Sequence, residues 1–319
     1  MASIKFFKNK NIGKLVRPQG AAFPTGLSVT LPNPVVDYVV VAGGGGGAGY
    51  GQSGGGGAGG YLTGSGHPLL VSTPYSITVG AGGDGGIAYN APYASNFSGA
   101  NGSPSNFSSF TAIGGGGGAA AGVNSVSAGS GGSGGGGGIY RAPKGGALGT
   151  PGQGNNGGSA FTGSPVTNFA GGGGGGGSLQ NGGDGTDSTG GNGGDGTTTT
   201  IAPSGTPTTY AAGGGGSSYQ GTSGTGGSGI GGDAKNYLAG SGGAGSPNTG
   251  SGGGATSDDP PHTGGNGGRG IVVIRYAGSQ AAGGGTVTTS PGYTIHTFTG
   301  DGTFTTNADF GGTTTYSIN

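Results

Sequence analysis

Residues 34–60 read Pro34-Val-Val-Asp-Tyr-Val-Val-Val-Ala42, then Gly43 to Gly47, then Ala-Gly-Tyr-Gly-Gln-Ser53, then Gly54 to Gly57 and Ala58-Gly-Gly60. A short apolar run feeds straight into polyglycine. Val35 to Ala42 has strand length and β-branched composition, and a continuous apolar run of this kind suits a strand buried on both faces. The glycine run beyond it has no Cβ to pack, so it forms neither an ordinary strand nor a helix. The fold depends on what a chain does with such glycine.

Glycine fills 96 of 319 positions, in blocks, with only 17 prolines. Collagen needs strict Gly-X-Y spacing and abundant proline, so it is excluded. A flexible Gly/Ser linker is the next default, but apolar runs punctuate this chain at intervals. Glycine costs ~1 kcal/mol per helical position relative to alanine. No stretch keeps an i, i+3, i+4, i+7 apolar pattern over three turns. The expected fold is therefore essentially free of α-helix.

Besides 35–42, strands are expected at 26–31, 75–79 and 271–276. Tyr293 to Thr299 and Thr303 to Thr306 flank Gly300-Asp301-Gly302, which reads as a hairpin. Between these lie the polyglycine blocks 43–47, 54–57, 114–118, 134–138, 171–177, 213–216 and 252–254. Around them the spacing is threefold: Gly190-Gly-Asn192-Gly-Gly-Asp195 and Gly264-Gly-Asn266-Gly-Gly-Arg269, with echoes at Asp84 and Ser133. Three residues per turn is the period of polyproline-II geometry, which makes no internal hydrogen bonds. Glycine lets such helices approach closely, and each amide and carbonyl then bonds to a neighbouring helix, satisfying the buried backbone. Cα–H···O contacts add to this. All-glycine runs belong in the middle of such a bundle and Gly-Gly-X runs at its faces. The expected architecture is irregular and all-β-like: a packed sandwich of polyglycine-II helices anchored by a few short strands. Its parts are a basic arm (1–33), the glycine-rich body (34–277) and a C-terminal β-hairpin segment (278–319).

Charge is sparse. All ten acids are aspartate, and five of the ten basic residues are Lys5, Lys8, Lys10, Lys14 and Arg17, with no acid before Asp37. The arm carries +5 and the remainder −5. With Phe6 and Phe7 beside those charges, the arm reads as a peptide that docks to another component of an assembly. So few basic groups elsewhere make phosphate-backbone binding a poor fit. Cysteine is absent, which removes disulfides and thiolate chemistry. No run approaches the ~20 residues of a membrane span, and no apolar segment after the basic N-terminus marks a secretory signal.

Catalytic chemistry finds little support. The run from Val39 through Gly47 mimics a dinucleotide-binding turn, but that motif needs a following helix. Gly182 to Asp187 matches a single calcium-binding nonapeptide, and such sites need stacked copies. Asp258, Asp259 and His262 surround two prolines and read as an exposed loop. His67, His262 and His296 show no local signature of a triad. No enzyme activity, cofactor or metal is expected. Recognition remains, and tyrosine suits it. Candidate contact residues lie between glycine runs: Tyr89, Tyr93, Phe97, Tyr140, Arg141, Tyr219 and Tyr237.

The run Val36-Asp-Tyr-Val-Val-Val-Ala-Gly-Gly-Gly-Gly-Gly47, with Gly57-Ala-Gly-Gly-Tyr-Leu62, Ile77-Thr-Val-Gly-Ala-Gly-Gly83, Ser108-Ser-Phe-Thr-Ala-Ile-Gly and Gly270-Ile-Val-Val-Ile-Arg-Tyr276, resembles the glycine-rich domain of phage tail and viral structural proteins. The resemblance covers roughly 35–277 and extends in architecture to the glycine-rich distal adhesins of T-even-type phages. It implies a virion location, a tail-fibre or tail-tip adhesin, and loops that read a host surface glycan or outer-membrane protein. Another virion protein would hold the basic arm, whose sequence is unlike those adhesins' attachment domain. A head fibre or decoration protein, or a cellular ice-binding or wall protein, are the alternatives.

Overall fold

The computed structural model describes residues 34–87, 97–121, 127–140, 142–143, 145–163, 168–257 and 262–311. The expected strand at 26–31 and the basic arm lie outside them. In chain order the strands are β1 (Val35–Val41), β2 (Tyr61–Pro68), β3 (Pro74–Thr78), β4 (Ser105–Phe107) and β5 (Phe110–Ala112). Then come β6 (Ile139–Tyr140), β7 (Ala142–Pro143), β8 (Thr197–Thr199), β9 (Thr208–Tyr210) and β10 (Ile271–Ala277). The chain ends through β11 (Ala282–Gly283), β12 (Thr286–Ser290), β13 (Tyr293–Phe298) and β14 (Gly302–Thr306). Among the described residues there is no α-helix, only a 3-10 turn at Gly227–Gly229.

Two five-stranded antiparallel sheets form a sandwich, ordered β12-β13-β10-β1-β2 and β11-β14-β3-β4-β5. The reading of β1 as buried on both faces holds. Val36, Tyr38 and Val40 meet Ile77, Phe107, Ile274 and Phe304 between the sheets. Val39 and Val41 pack on the other side with Ile201 and Tyr210, near the β8–β9 hairpin. β10 pairs directly with β1, Val41 opposite Ile271 and Asp37 opposite Arg275. That ladder is locked by an Arg275 Nη2 to Asp37 Oδ2 ion pair of 2.8 Å.

The C-terminal stretch corrects one expectation. Gly300-Asp301-Gly302 does not close a hairpin. β13 pairs with β10 and β12 in one sheet, whereas β14 pairs with β3 and β11 in the other. The segment crosses between sheets, and Asp301 Oδ1 accepts the Val79 amide at 2.9 Å. The tight hairpin lies earlier, at Pro291-Gly292 between β12 and β13, where Gly292 has φ +81.

At Ala42 the bonding pattern changes. In β1 the chain pairs with two neighbours, β2 and β10. Beyond it, successive amides point to three. Gly43, Gly46 and Gly49 donate to Ser103, Ala100 and Phe97. Gly44 and Gly47 donate to Gly268 and Gly265, and Gly45 and Ala48 to Gly57 and Gly54. Every third amide therefore finds the same neighbour, as a three-residue screw requires. The return run 53–60 donates to runs 113–119, 173–176 and 250–253 and accepts from runs 42–48, 133–136 and 214–217. It is the centre of a hexagonal lattice, as is the run 171–177.

Glycine is obligatory there. A Cβ at Gly56 would lie 2.1 Å from the Gly45 carbonyl oxygen, and one at Gly175 would lie 2.0 Å from that of Gly56. Gly43–Gly47, Gly54–Gly57 and Gly171–Gly177 are buried throughout. In Gly-Gly-X stretches burial repeats every third residue: Gly264 and Gly265 are buried and Asn266 is exposed.

Candidate recognition pole

Each glycine run crosses the body once, so its ends lie at opposite poles. The runs that join the strands fix one pole as the sandwich. Run 42–49 leaves β1 and run 53–60 returns to β2, while run 80–86 leaves β3 and the run from Phe97 returns to β4. The intervening connections gather at the opposite pole and are bonded to one another there. Gly49 donates to Phe97, Ile139 to Gln52, Gln220 to Asn168 and Tyr237 to Tyr219, at 2.8, 2.9, 2.9 and 3.1 Å. Ser257 Oγ donates to the Ser218 carbonyl at 2.8 Å. Beneath them Ser53 and Ser217 close the end of the central run. The Ser53 amide donates to Ser217 Oγ at 3.0 Å, and Ser53 Oγ donates to the Thr256 carbonyl at 2.9 Å.

The opposite pole carries the described ends of the chain. Pro34 precedes β1 at the outer edge of the sandwich, its carbonyl accepts the Leu69 amide, and Gly311 packs against it. Seven strand residues span roughly 20 Å and seven residues of polyglycine-II about 22 Å. Both lengths separate Pro34 from the far connections.

Of the candidate contact residues, Tyr219 and Tyr237 are brought together, with ring centroids 4.6 Å apart and planes tilted by 30°. Both are half-buried. The backbone of Tyr140 lies in the β6–β7 hairpin at the same pole. Tyr89, Tyr93 and Arg141 lie outside the described residues, as do Lys5, Phe6, Phe7, Lys8, Lys10, Lys14 and Arg17. Ile87 and Phe97, which flank 88–96, are at the far pole. Phe97 itself is corrected: it is 4% exposed and packs with Ala48, Ala120 and Tyr50. It closes a helix end rather than facing outward, because its backbone is drawn onto Gly49.

Three residues at this pole carry no sequence signal of their role. Leu238 is 78% exposed at φ +65, and Tyr50 sits at φ +78. Phe169 is 51% exposed. Positive φ is rare for bulky side chains and marks positions held by their surroundings. Nothing in residue type announces it.

The flanks of the body are held differently. Asn192 Oδ1 accepts the Thr225 amide at 2.9 Å, and the next amide, Gly193, donates to the Thr225 carbonyl at 2.8 Å. Asn181-Gly182 grips Asn156 in the same two ways, and Asp184-Gly185 grips Ser159. Asp195 Oδ1 and Asp233 Oδ1 likewise accept the amides of Ser228 and Gly226. A side-chain oxygen two bonds from Cβ substitutes for a missing neighbour. A shallow groove of about 420 Å³ runs between these flank helices, lined by Asp184, Asn192, Thr222 and Thr225. Asp184, in the calcium-like stretch, is thus committed to the backbone. Asp258 and Asp259 lie outside the described residues. Among the described residues no cluster of three or more His, Asp or Glu gathers to hold a metal, and no helix is long and apolar enough to cross a membrane.

No curated protein matches this sequence. A family model described as a glycine-rich domain matches residues 23–277. Spanning most of the chain, that match covers the strands and glycine runs that build the lattice, and the protein belongs to this glycine-rich domain family.

Proposed function

We propose that the protein is a non-enzymatic virion structural protein, a tail-fibre or tail-tip adhesin that presents its far-pole connections to a host surface receptor. One observation carries this reading. The connections that bear Tyr219, Tyr237, Leu238 and Phe169 sit at one pole, while Pro34, where the basic arm joins the body, sits at the other. A lattice whose buried amides bond from helix to helix is stiff, so it separates the two ends by a fixed distance. Aromatic side chains supply contact area at low entropic cost. The resemblance to phage glycine-rich domains points the same way. The arm, +5 with two adjacent phenylalanines, docks the protein to another virion component.

The test is adsorption. Purified protein labelled at the sandwich pole binds host cells and competes with infecting particles, and protein with Tyr219 and Tyr237 both changed to serine does neither while keeping its melting temperature. Wild-type protein that fails to bind cells and fails to block adsorption refutes the adhesin reading.

A further inference from the structure

The sequence contains five Asn-Gly dipeptides: Asn101-Gly102, Asn156-Gly157, Asn181-Gly182, Asn192-Gly193 and Asn266-Gly267. All five asparagines are exposed. Asn-Gly is the dipeptide most open to succinimide chemistry, because glycine leaves the next nitrogen unshielded. That nitrogen attacks the side-chain Cγ, a C–N bond forms and ammonia leaves. Water then opens the ring at either carbonyl, giving aspartate or isoaspartate. Exposure supplies the water, so burial does not protect these sites.

The lattice engages both reacting groups at all five. The nitrogens that would attack donate hydrogen bonds: Gly102 to Gly115, Gly157 to Ala147, Gly182 to Asn156, Gly193 to Thr225 and Gly267 to Gly83, at 2.8–2.9 Å. The carbonyl oxygens on the attacked carbons accept: Asn101 from Gly117, Asn156 from Gly149, Asn181 from Asn156, Asn192 from Thr225 and Asn266 from Gly85, at 2.8–3.1 Å. Cyclisation at any site requires both bonds to break, which means parting two helices locally.

We propose that these Asn-Gly junctions are latent modification sites: they stay as amides while the lattice is closed and convert to isoaspartate once a helix opens. The isoaspartate product adds one methylene to the main chain. A lattice whose amides must recur every third residue cannot absorb that insertion, so conversion makes an opening permanent. Aspartate formed by the same route keeps an acceptor where Asp184, Asp195 and Asp233 already use one. These sites are independent of what the far pole binds.

Peptide mapping by mass spectrometry, on full-length protein held in mildly alkaline buffer with and without urea, tests it. The native chain converts at least about tenfold more slowly than the unfolded chain at all five sites, the ratio reporting local opening. A smaller ratio at Asn192 or Asn266 overturns the proposal. For the second part, chain carrying isoaspartate at 192 fails to recover the native melting transition after urea removal, whereas Asn192→Asp recovers it. Equal recovery by both shows that the lattice tolerates the extra methylene and overturns that part.

Discussion

Asn192 and Thr225 face each other across the flank of the body and are joined twice, side chain to amide and amide to carbonyl. The geometry accounts for a compositional fact: all ten acids are aspartate, and glutamate is absent. An acceptor at this reach replaces a missing lattice neighbour, and one more methylene overshoots it. Asn192→Asp is therefore expected to melt within error of wild type. Asn192→Ala removes one hydrogen bond and is expected to lower stability by about 1 kcal/mol. Asn192→Glu is expected to lose as much as the alanine variant despite its carboxylate. Urea titration of the three variants checks the order, and glutamate behaving like aspartate contradicts the reach argument.

Glycine in the lattice is needed for close approach rather than for its flexibility. Gly175→Ala places a Cβ 2.0 Å from the Gly56 carbonyl oxygen, and a close-packed interior has no slack to receive it. The variant is expected to yield no cooperatively folded protein, read as loss of the melting transition. Gly283, in β11, has nothing within 4 Å of its Cβ position. Gly283→Ala is expected to be neutral or to gain about 0.5 kcal/mol through the unfolded state.

Much of this arrangement was legible in the chain. Val35 to Ala42 announced a strand buried on both faces, and the threefold spacing of Asn192, Asp195, Asn266 and Arg269 announced a three-residue screw. Blocks without side chains announced a centre. Direction could not be read. Polyglycine carries no side chain to say which neighbour it touches, so the hexagonal order emerges only in three dimensions. Asp301 sat in a local pattern identical to a hairpin turn, yet β14 is claimed by β3 of the other sheet. Phe97 looked like a loop aromatic because nothing local revealed that its carbonyl takes the Gly49 amide. Leu238 was passed over because a positive φ leaves no trace in residue type.

His296 provides a pH signature. It is buried in the sandwich, its Nδ1 2.7 Å from the Gly284 carbonyl and its Nε2 3.1 Å from the Tyr276 hydroxyl. Burial lowers its pKa below the ordinary 6.5, and the hydrogen bond to Gly284 only partly offsets this. Between the folded and unfolded values the unfolded chain binds the extra proton, so stability is full above about pH 6.5 and falls as pH drops through that window. The urea midpoint is expected to be flat from about pH 8 to 7 and to decline towards pH 5 by no more than about 1.4 kcal/mol per unit from this residue. His296→Gln keeps a donor and an acceptor, and is expected to be less stable at neutral pH but with a shallower slope. An unchanged slope would place the sensitivity elsewhere.

Leu238 separates recognition from folding. Its side chain is 78% exposed beside the Tyr219–Tyr237 pair, and its backbone stands at φ +65. A left-handed conformation costs a residue with a Cβ roughly 1 kcal/mol, and exposure means that little packing repays it. If the residue served only the fold, replacing it with glycine would be neutral or harmful to function in step with stability. Under the adhesin reading the two diverge. Leu238→Gly is expected to raise stability by about 1 kcal/mol through relief of that strain and to weaken cell binding. Leu238→Asp is expected to keep the strain and weaken binding further. Melting temperature and cell-binding affinity measured on both variants decide it, and a more stable glycine variant with undiminished binding would remove Leu238 from the contact surface.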